Sequence, residues 1–302
     1  MVKIQVNSQG KAYYTSSGKV LLAPEMIGIP REVSAQGVYQ MPTTSFTFSL
    51  PSDATDINKN GLRAAFYGST TIVAAEFPEL TSLSGEEALN GAFSNSSLSS
   101  ISFPKLTTIT GGSALIGMCQ NASLLSTIEF PELTTVSGAR AFNSTFSDSK
   151  ITSVSFPKLT TISSYNAFIG ICYRCNRLTS ILFPELTTVS GEQVFQQAFT
   201  SNSLSSISFP KLTTITGYST FSSAFYNCTA LESVSFPALT TNSFGSYINQ
   251  FNNMLYNSGT NVTHTIHFPS NLESKISTLT GYPLFGGTSG YVTLAFDLPA
   301  TS

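Results

Sequence analysis

Residues 98–104 read LSSISFP, with apolar side chains at the first, fourth and sixth places and hydroxyls between them. Ile and Phe two apart point to one side of an extended strand, and the Ser between them points to the other. The phrase returns as LTSILFP at 178–184, LSSISFP at 204–210 and LESVSFP at 231–237. Proline closes each run, because it has no N–H to give to a sheet ladder. A second apolar pair follows in L-T-T-I/V, as with Leu133 and Val136 or Leu212 and Ile215. It predicts a brief second edge, after which Gly or Ser turns the chain. A third part carries apolar residues at i and i+4: Leu89 with Phe93, Phe142 with Phe146, Phe195 with Phe199, Phe221 with Phe225. That spacing predicts a short helical turn. Ser-Gly-Glu before it, at 84–86 and 190–192, puts acidic groups where a helix N-terminus favours them.

These three parts recur as one unit. Phe-Pro stands at 77–78, 103–104, 130–131, 156–157, 183–184, 209–210, 236–237 and 268–269, in steps of 26, 27, 26, 27, 26, 27 and 32. Leu50-Pro51 lies 27 residues before the first and reads as a degenerate copy, giving about nine coils over residues 44–270. A period of 20–50 residues signals a repeat solenoid, and 26–27 falls within the leucine-rich-repeat range. One coil cannot bury its apolar face alone, whereas stacked coils share a continuous core. Parallel strands are expected on one side and short helical turns on the other. Residues 1–43 fall outside the period and alternate around Gly-containing turns, which predicts an N-terminal β-hairpin module or cap. Residues 271–302 depart from it again and read as a C-terminal cap, with helical spacing in NLESKISTL and a final strand in YVTLAFDL.

The unit AFYNCTALESVSFPALTT at 224–241 resembles the repeat of BspA-like leucine-rich-repeat proteins, roughly AF-x-x-C-x-x-L-x-x-I-x-I-P. The likeness extends over about three quarters of the chain. This sequence departs from it in two ways: most copies lack the Cys, and Phe stands before Pro where Ile is usual. The resemblance implies a right-handed β/α superhelix with its strands on the concave side. It also implies a non-enzymatic, cell-surface or secreted protein engaged in adhesion, with a protein or glycan on a cell or matrix surface as partner.

Composition narrows the other classes. Of 302 residues 41% are hydrophobic, enough for a core, but only 10% are charged and the net charge is −2. No basic field is available for nucleic acid. No run approaches the ~20 apolar residues of a membrane span. The opening MVKIQVNSQGKAYY has no apolar h-region and no cleavage site. Either a leader has been removed, or the protein leaves its cell by another route, release with a phage or similar particle included. That second route admits a phage tail-associated receptor-binding component as an alternative role, and a purely structural spacer is a third.

Candidate chemistry is sparse. Cys172 and Cys175 form a C-x-x-C, but Cys119 and Cys172 lie 53 residues apart, as do Cys175 and Cys228. They therefore occupy two repeat positions. Equivalent positions two coils apart are separated by ~10 Å, beyond the ~7 Å reach of a disulfide. Buried structural thiols are expected, with a local Cys172–Cys175 bridge or a metal role as alternatives. His264 and His267 are three apart on a strand and so face opposite sides. No Ser-His-Asp set, P-loop or H-E-x-x-H appears, so neither an enzyme nor a cofactor is expected. Asn95, Asn121, Asn143, Asn227 and Asn261 open N-x-[ST] triplets that fit turns as well as glycan acceptors. The Thr-Thr pairs from 107–108 to 240–241 fit hydroxyl bonding at turns.

Two columns remain. Glu79, Lys105, Glu132, Lys158, Glu185 and Lys211 alternate in sign at one repeat position. Stacked ~5 Å apart, each would face an opposite charge above and below, a structural charge ladder. The outward position before Phe runs Glu76, Ser102, Glu129, Ser155, Leu182, Ser208, Ser235, His267. A varied column on a constant scaffold suits recognition of an extended partner, and these eight are the candidate ligand-binding residues.

Overall fold

The computed structural model of the protein describes residues 2–6, 21–22, 45–50, 54–57, 59–244, 249–258, 263–277 and 292–300. Two parallel ladders run along it. The first holds the strands that end before Phe-Pro. Phe46–Ser49, Ile72–Glu76 and Ser100–Ser102 pair in sequence; Thr127–Glu129, Ser153–Ser155 and Ser180–Leu182 form a second group. Ser206–Ser208, Ser233–Ser235, His264–Pro269 and Val292–Leu298 form a third. The second ladder is one sheet of six two-residue strands, from Ser82–Leu83 to Thr214–Ile215. The register is that of the repeat: Val154 lies between Ile128 and Ile181, and Thr161 between Thr135 and Thr188. The protein is a parallel-strand β-solenoid of about eight coils.

The third part of each coil is not helical, which corrects the expectation drawn from the i, i+4 pairs. In an α-helix every N–H reaches back four residues. Here the N–H groups alternate between two partners. Leu89, Gly91 and Phe93 donate to Ala114, Ile116 and Met118 of the next coil at 2.7–2.8 Å, while Asn90, Ala92 and Ser94 donate three residues back, to Glu87, Leu89 and Gly91. Every fourth residue takes positive φ, as at Glu87 (55°), Gly91 (62°) and Asn95 (57°), and again at Ser113, Gly117 and Asn121. The result is a ribbon of overlapping β-turns with a four-residue repeat. Two of the four residues in each repeat are buried, such as Ala88 and Leu89, then Ala92 and Phe93. A four-residue ribbon thus produces the same apolar spacing as a helix, without a helix.

The ends differ from the repeat. Val2–Val6 pairs in parallel with both Leu21–Leu22 and Phe46–Ser49. These described residues extend the first ladder; the rest of 1–43, on which the expected β-hairpin module or cap falls, lies outside the described residues. At the other end Glu273–Ser277 is a short α-helix, and Val292–Leu298 adds a parallel rung to His264–Pro269.

Between the ladders and the ribbon lies one core. The Phe of each Phe-Pro stacks on the next: Phe130 on Phe156 at 5.1 Å and 4°, Phe156 on Phe183 at 5.2 Å and 5°. Ribbon phenylalanines meet this stack edge-on, as Phe142 meets Phe156 at 5.5 Å and 88°. The two arrangements are those that the aromatic quadrupole favours.

Candidate functional site

The strand ladder fixes the outward column read from the sequence. Its members share register, Glu76 beside Ser102, Glu129 beside Ser155 and Leu182, Ser208 beside Ser235 and His267. Ser102, Glu129, Leu182 and Ser208 are exposed; Glu76, Ser155, Ser235 and His267 are half-buried. The position two residues earlier is a hydroxyl in seven successive rungs: Ser100, Thr127, Ser153, Ser180, Ser206, Ser233 and Thr265. The face is therefore almost uncharged and rich in hydroxyls. Leu182, 53% exposed, is its large apolar residue among those described.

The ladder opens beside Leu182. Ser180–Leu182 and Ser206–Ser208 are not backbone-paired, although their neighbours on either side are. A groove of about 340 Å³ lies there, lined by Ser180, Leu182, Pro184, Ser206, Ser208 and Pro210 among others. Farther along, the Ser235 hydroxyl donates to Ser208 Oγ at 2.8 Å. His267 Nδ1 lies 2.9 Å from Asp297 Oδ1, and this hydrogen bond holds the Asp297 carboxyl below its ordinary range. His264 is buried with its Nδ1 on the Leu231 carbonyl. The two histidines thus face opposite sides, as strand geometry requires.

The charge column pairs in twos. Lys105 meets Glu79 at 2.6 Å, Lys158 meets Glu132 at 2.7 Å and Lys211 meets Glu185 at 2.6 Å, each across a 26-residue step. Within this column no salt bridge joins Lys105 to Glu132 or Lys158 to Glu185 across the 27-residue steps, which corrects the expectation of a continuous ladder. The reason is commitment: Lys158 Nζ donates to both carboxylate oxygens of Glu132, at 2.8 and 2.7 Å, and leaves Glu185 to Lys211. These pairs are more than a third exposed, so each is worth about 1 kcal/mol at most. Lys158→Glu is expected to lower the melting temperature slightly, and more at low salt than at high salt. Equal melting temperatures for the two chains at low ionic strength would show that the pairing contributes nothing.

All four cysteines are free thiols and buried. Burial pushes the Cys119 thiol up, and Cys172 well up; Cys228 is pushed up to about 12, again by burial. Cys175 and Cys228 donate to the carbonyls of Phe146 and Phe199 at 2.9 Å. Their repeat position carries Ser149 and Asn202 in the neighbouring coils. Asn202 Nδ2 donates to the Phe199 carbonyl there, so the thiols do the work of a short polar side chain. The first Thr of each pair is likewise consumed: Thr107, Thr134, Thr160, Thr187 and Thr213 donate to the Thr carbonyl of the coil before at 2.9–3.2 Å. Among the described residues no three His, Cys, Asp or Glu come together as a metal site would require, and no helix is long and apolar enough to cross a membrane.

The opposite side carries residues that sequence reasoning did not place. All six described tyrosines, Tyr67, Tyr165, Tyr173, Tyr218, Tyr226 and Tyr256, lie in the turn ribbon. Tyr67, Tyr165, Tyr218 and Tyr256 are exposed by 41–54%. Arg140 lies over the Tyr165 ring at 5.6 Å, and Tyr226 stacks on Tyr256 at 5.7 Å. A signal was present in the chain: Tyr165 and Tyr218 stand 53 residues apart, and so do Tyr173 and Tyr226.

Coils of this length, with parallel strands on one side and a buried Leu, Ile and Phe column on each rung, define a leucine-rich-repeat solenoid. The chain belongs to the BspA type leucine rich repeat region family, whose six-copy model matches residues 39–172, 90–224 and 144–278. Two similar solved structures are a leucine-rich repeat protein from Eubacterium ventriosum and a leucine rich cell surface protein from Faecalibacterium prausnitzii. The first is 19% identical with a TM-score of 0.37, over 74% of this chain and 60% of its own length. The second is 16% identical with a TM-score of 0.28, over 97% of this chain and 88% of its own. No curated protein matches in sequence.

Proposed function

We propose that this protein is a recognition module displayed at a cell or particle surface, with its strand face as the contact surface for an extended protein or glycan partner. The observation that supports this most is the contrast between constant and varied positions on one rung. The inward Ile or Val and the Phe are apolar and buried from Ile101 and Phe103 to Val234 and Phe236. The outward position on the same strands passes through Glu, Ser, Leu and His, and the strands that pair keep one register from Glu129 to Leu182 and from Ser208 to His267. Such a face spends its stability inside and leaves its outward residues free to match a partner. The exposed Leu182 beside the groove supplies one apolar anchor in a hydroxyl surface. Contacts of this kind are individually weak, and display in many copies would raise their avidity.

The test is binding of a multivalent display of the protein to host cells and to immobilised matrix proteins. Leu182→Glu and Ser208→Arg alter two outward side chains next to the groove and leave the core untouched. Binding reduced about tenfold or more by either change, with the melting temperature kept, supports the strand face. Binding that ignores both changes places recognition elsewhere, and no binding at high valency points to a spacer.

A further inference from the structure

The turn ribbon holds a second concavity, of about 470 Å³, across its first coils. We propose that it is a binding site for an uncharged glycan, distinct from the strand face and independent of it. The floor follows from the ribbon's geometry. In the first three coils the middle positive-φ residue is Ala64, Gly91 and Gly117, and all three line the concavity. A Cβ built on Gly91 meets no heavy atom within 4 Å, so the space above it is open. In later coils the same column holds Ser144, Gly170, Gln197, Ser223 and Asn253, so among the described coils a run of three without a polar side chain stands only here. The positive φ itself asks only for a residue that tolerates the left-handed region.

The walls give the chemistry. Tyr67, 49% exposed, offers a ring on one side. Asn90 and Gln120 flank the floor, and among the described residues their carboxamides make no hydrogen bond. Each carboxamide is both donor and acceptor. A phenol ring with an apolar body and a polar tip, beside two such groups, matches a pyranose: C–H bonds on its face, hydroxyls around its rim. Charge argues against other occupants. Arg63, the cation on the wall, is bonded to Glu87, and Lys59 nearby is bonded to Glu86 at 2.6 Å. The rim is neutralised, so no field favours a phosphate or a nucleic acid. Apolar side chains are few, Ile116 and Ala64 among the lining residues, which disfavours a lipid or an apolar peptide anchor.

The experiment uses the whole chain and a defined panel of probes: lactose, N-acetyllactosamine, chitotriose, cellotetraose and xylotetraose, with 3′-sialyllactose and a heparin hexasaccharide as charged comparators. Saturation-transfer NMR detects contact and isothermal titration gives affinity. At least one neutral oligosaccharide is expected to bind, with its ring protons saturated and the anionic probes bound no better. Tyr67→Ala, Asn90→Ala and Gly91→Gln are each expected to weaken it by about tenfold or more. Gly91→Gln fills the floor with the residue that the ribbon already carries at 197, and its left-handed backbone should lower the melting temperature by only a few degrees. Leu182→Glu on the strand face should leave this binding unchanged, which separates it from the surface proposed above. The inference is overturned if no neutral probe binds. It is equally overturned if binding survives Gly91→Gln and Asn90→Ala, or if the charged probes bind more tightly.

Discussion

Phe156→Ala is expected to cost about 3–5 kcal/mol, the range for deleting a large buried aromatic side chain. Phe156 is fully buried and touches four other rings. It stacks on Phe130 and Phe183 and meets Phe142 and Phe168 edge-on, at centroid distances of 5.1–5.5 Å. No side chain from another layer can move in, because each neighbouring coil has one Phe at this place and its backbone is fixed by inter-coil hydrogen bonds such as Phe156 N to Leu182 O at 3.0 Å. The cavity therefore stays open, which puts the loss near the upper end. In a solenoid each coil contacts only its neighbours, so a weak central coil also uncouples the two halves. Equilibrium denaturation in urea checks both effects: a lower midpoint and a shallower slope. A midpoint within experimental error of the parent would show that the ring stack is not what holds adjacent coils together.

The Phe column was legible because its period is set by the coil, and the coil is set by covalent length. Phe130, Phe156 and Phe183 had to recur at one depth for any stacking to occur, and they recur as read. The strand at LSSISFP and the buried Leu and Ile positions follow from the same requirement. What misled was a coincidence of spacing. Phe142 and Phe146 lie on one side of an α-helix, but they also lie on one side of a ribbon whose unit is four residues. Apolar positions alone cannot separate the two. The residues between them can: Arg140, Ser144 and Asp148, or Asn166, Gly170 and Arg174, mark the left-handed positions. Gly and Asn favour that region and a helix interior does not want them. Asn and Gly recurring every fourth residue in ALNGAFSN at 88–95 therefore identify a turn ribbon.

The same misreading hid the second candidate site. A helical back would have kept a side chain over every turn, and the groove at Gly91 exists only because the ribbon brings its middle left-handed residue to the surface. The tyrosines were visible in the chain, but with no ribbon to place them on they belonged to no surface. The charge column failed in a smaller way. Its alternation was read correctly, yet a lysine that donates to both oxygens of one carboxylate has little left for the next. Sign alternation specifies pairs, and whether pairs join into a ladder depends on side-chain commitment.

Gly138→Ala is expected to destabilise the protein by about 1–3 kcal/mol, as overpacking does in a well-filled interior. The reason lies in how closely successive coils approach where the second ladder passes into the ribbon. A Cβ on Gly138 would stand 2.2 Å from the Gly111 carbonyl oxygen, and one on Gly111 would stand 2.2 Å from that of Gly85. The obstacle is backbone, which no side-chain rotation can clear. Neither glycine has positive φ, so the requirement is one of space and not of conformation. Relief would need the coils to part and would strain the bond from Gly138 N to Ile109 O at 3.1 Å. The column contains its own control. Gly85, Gly111, Gly138, Gly191 and Gly217 are interrupted by Ser164, which already carries a Cβ and is only half-buried. Ser164→Ala should therefore change stability by no more than about 0.5 kcal/mol. Thermal and urea unfolding of the two variants side by side test the argument. If Gly138→Ala is as stable as Ser164→Ala, the coils have room to spare. If the loss at Gly138 is confirmed, the conformity of this column fixes the coil spacing, and with it the spacing of every outward residue on both faces.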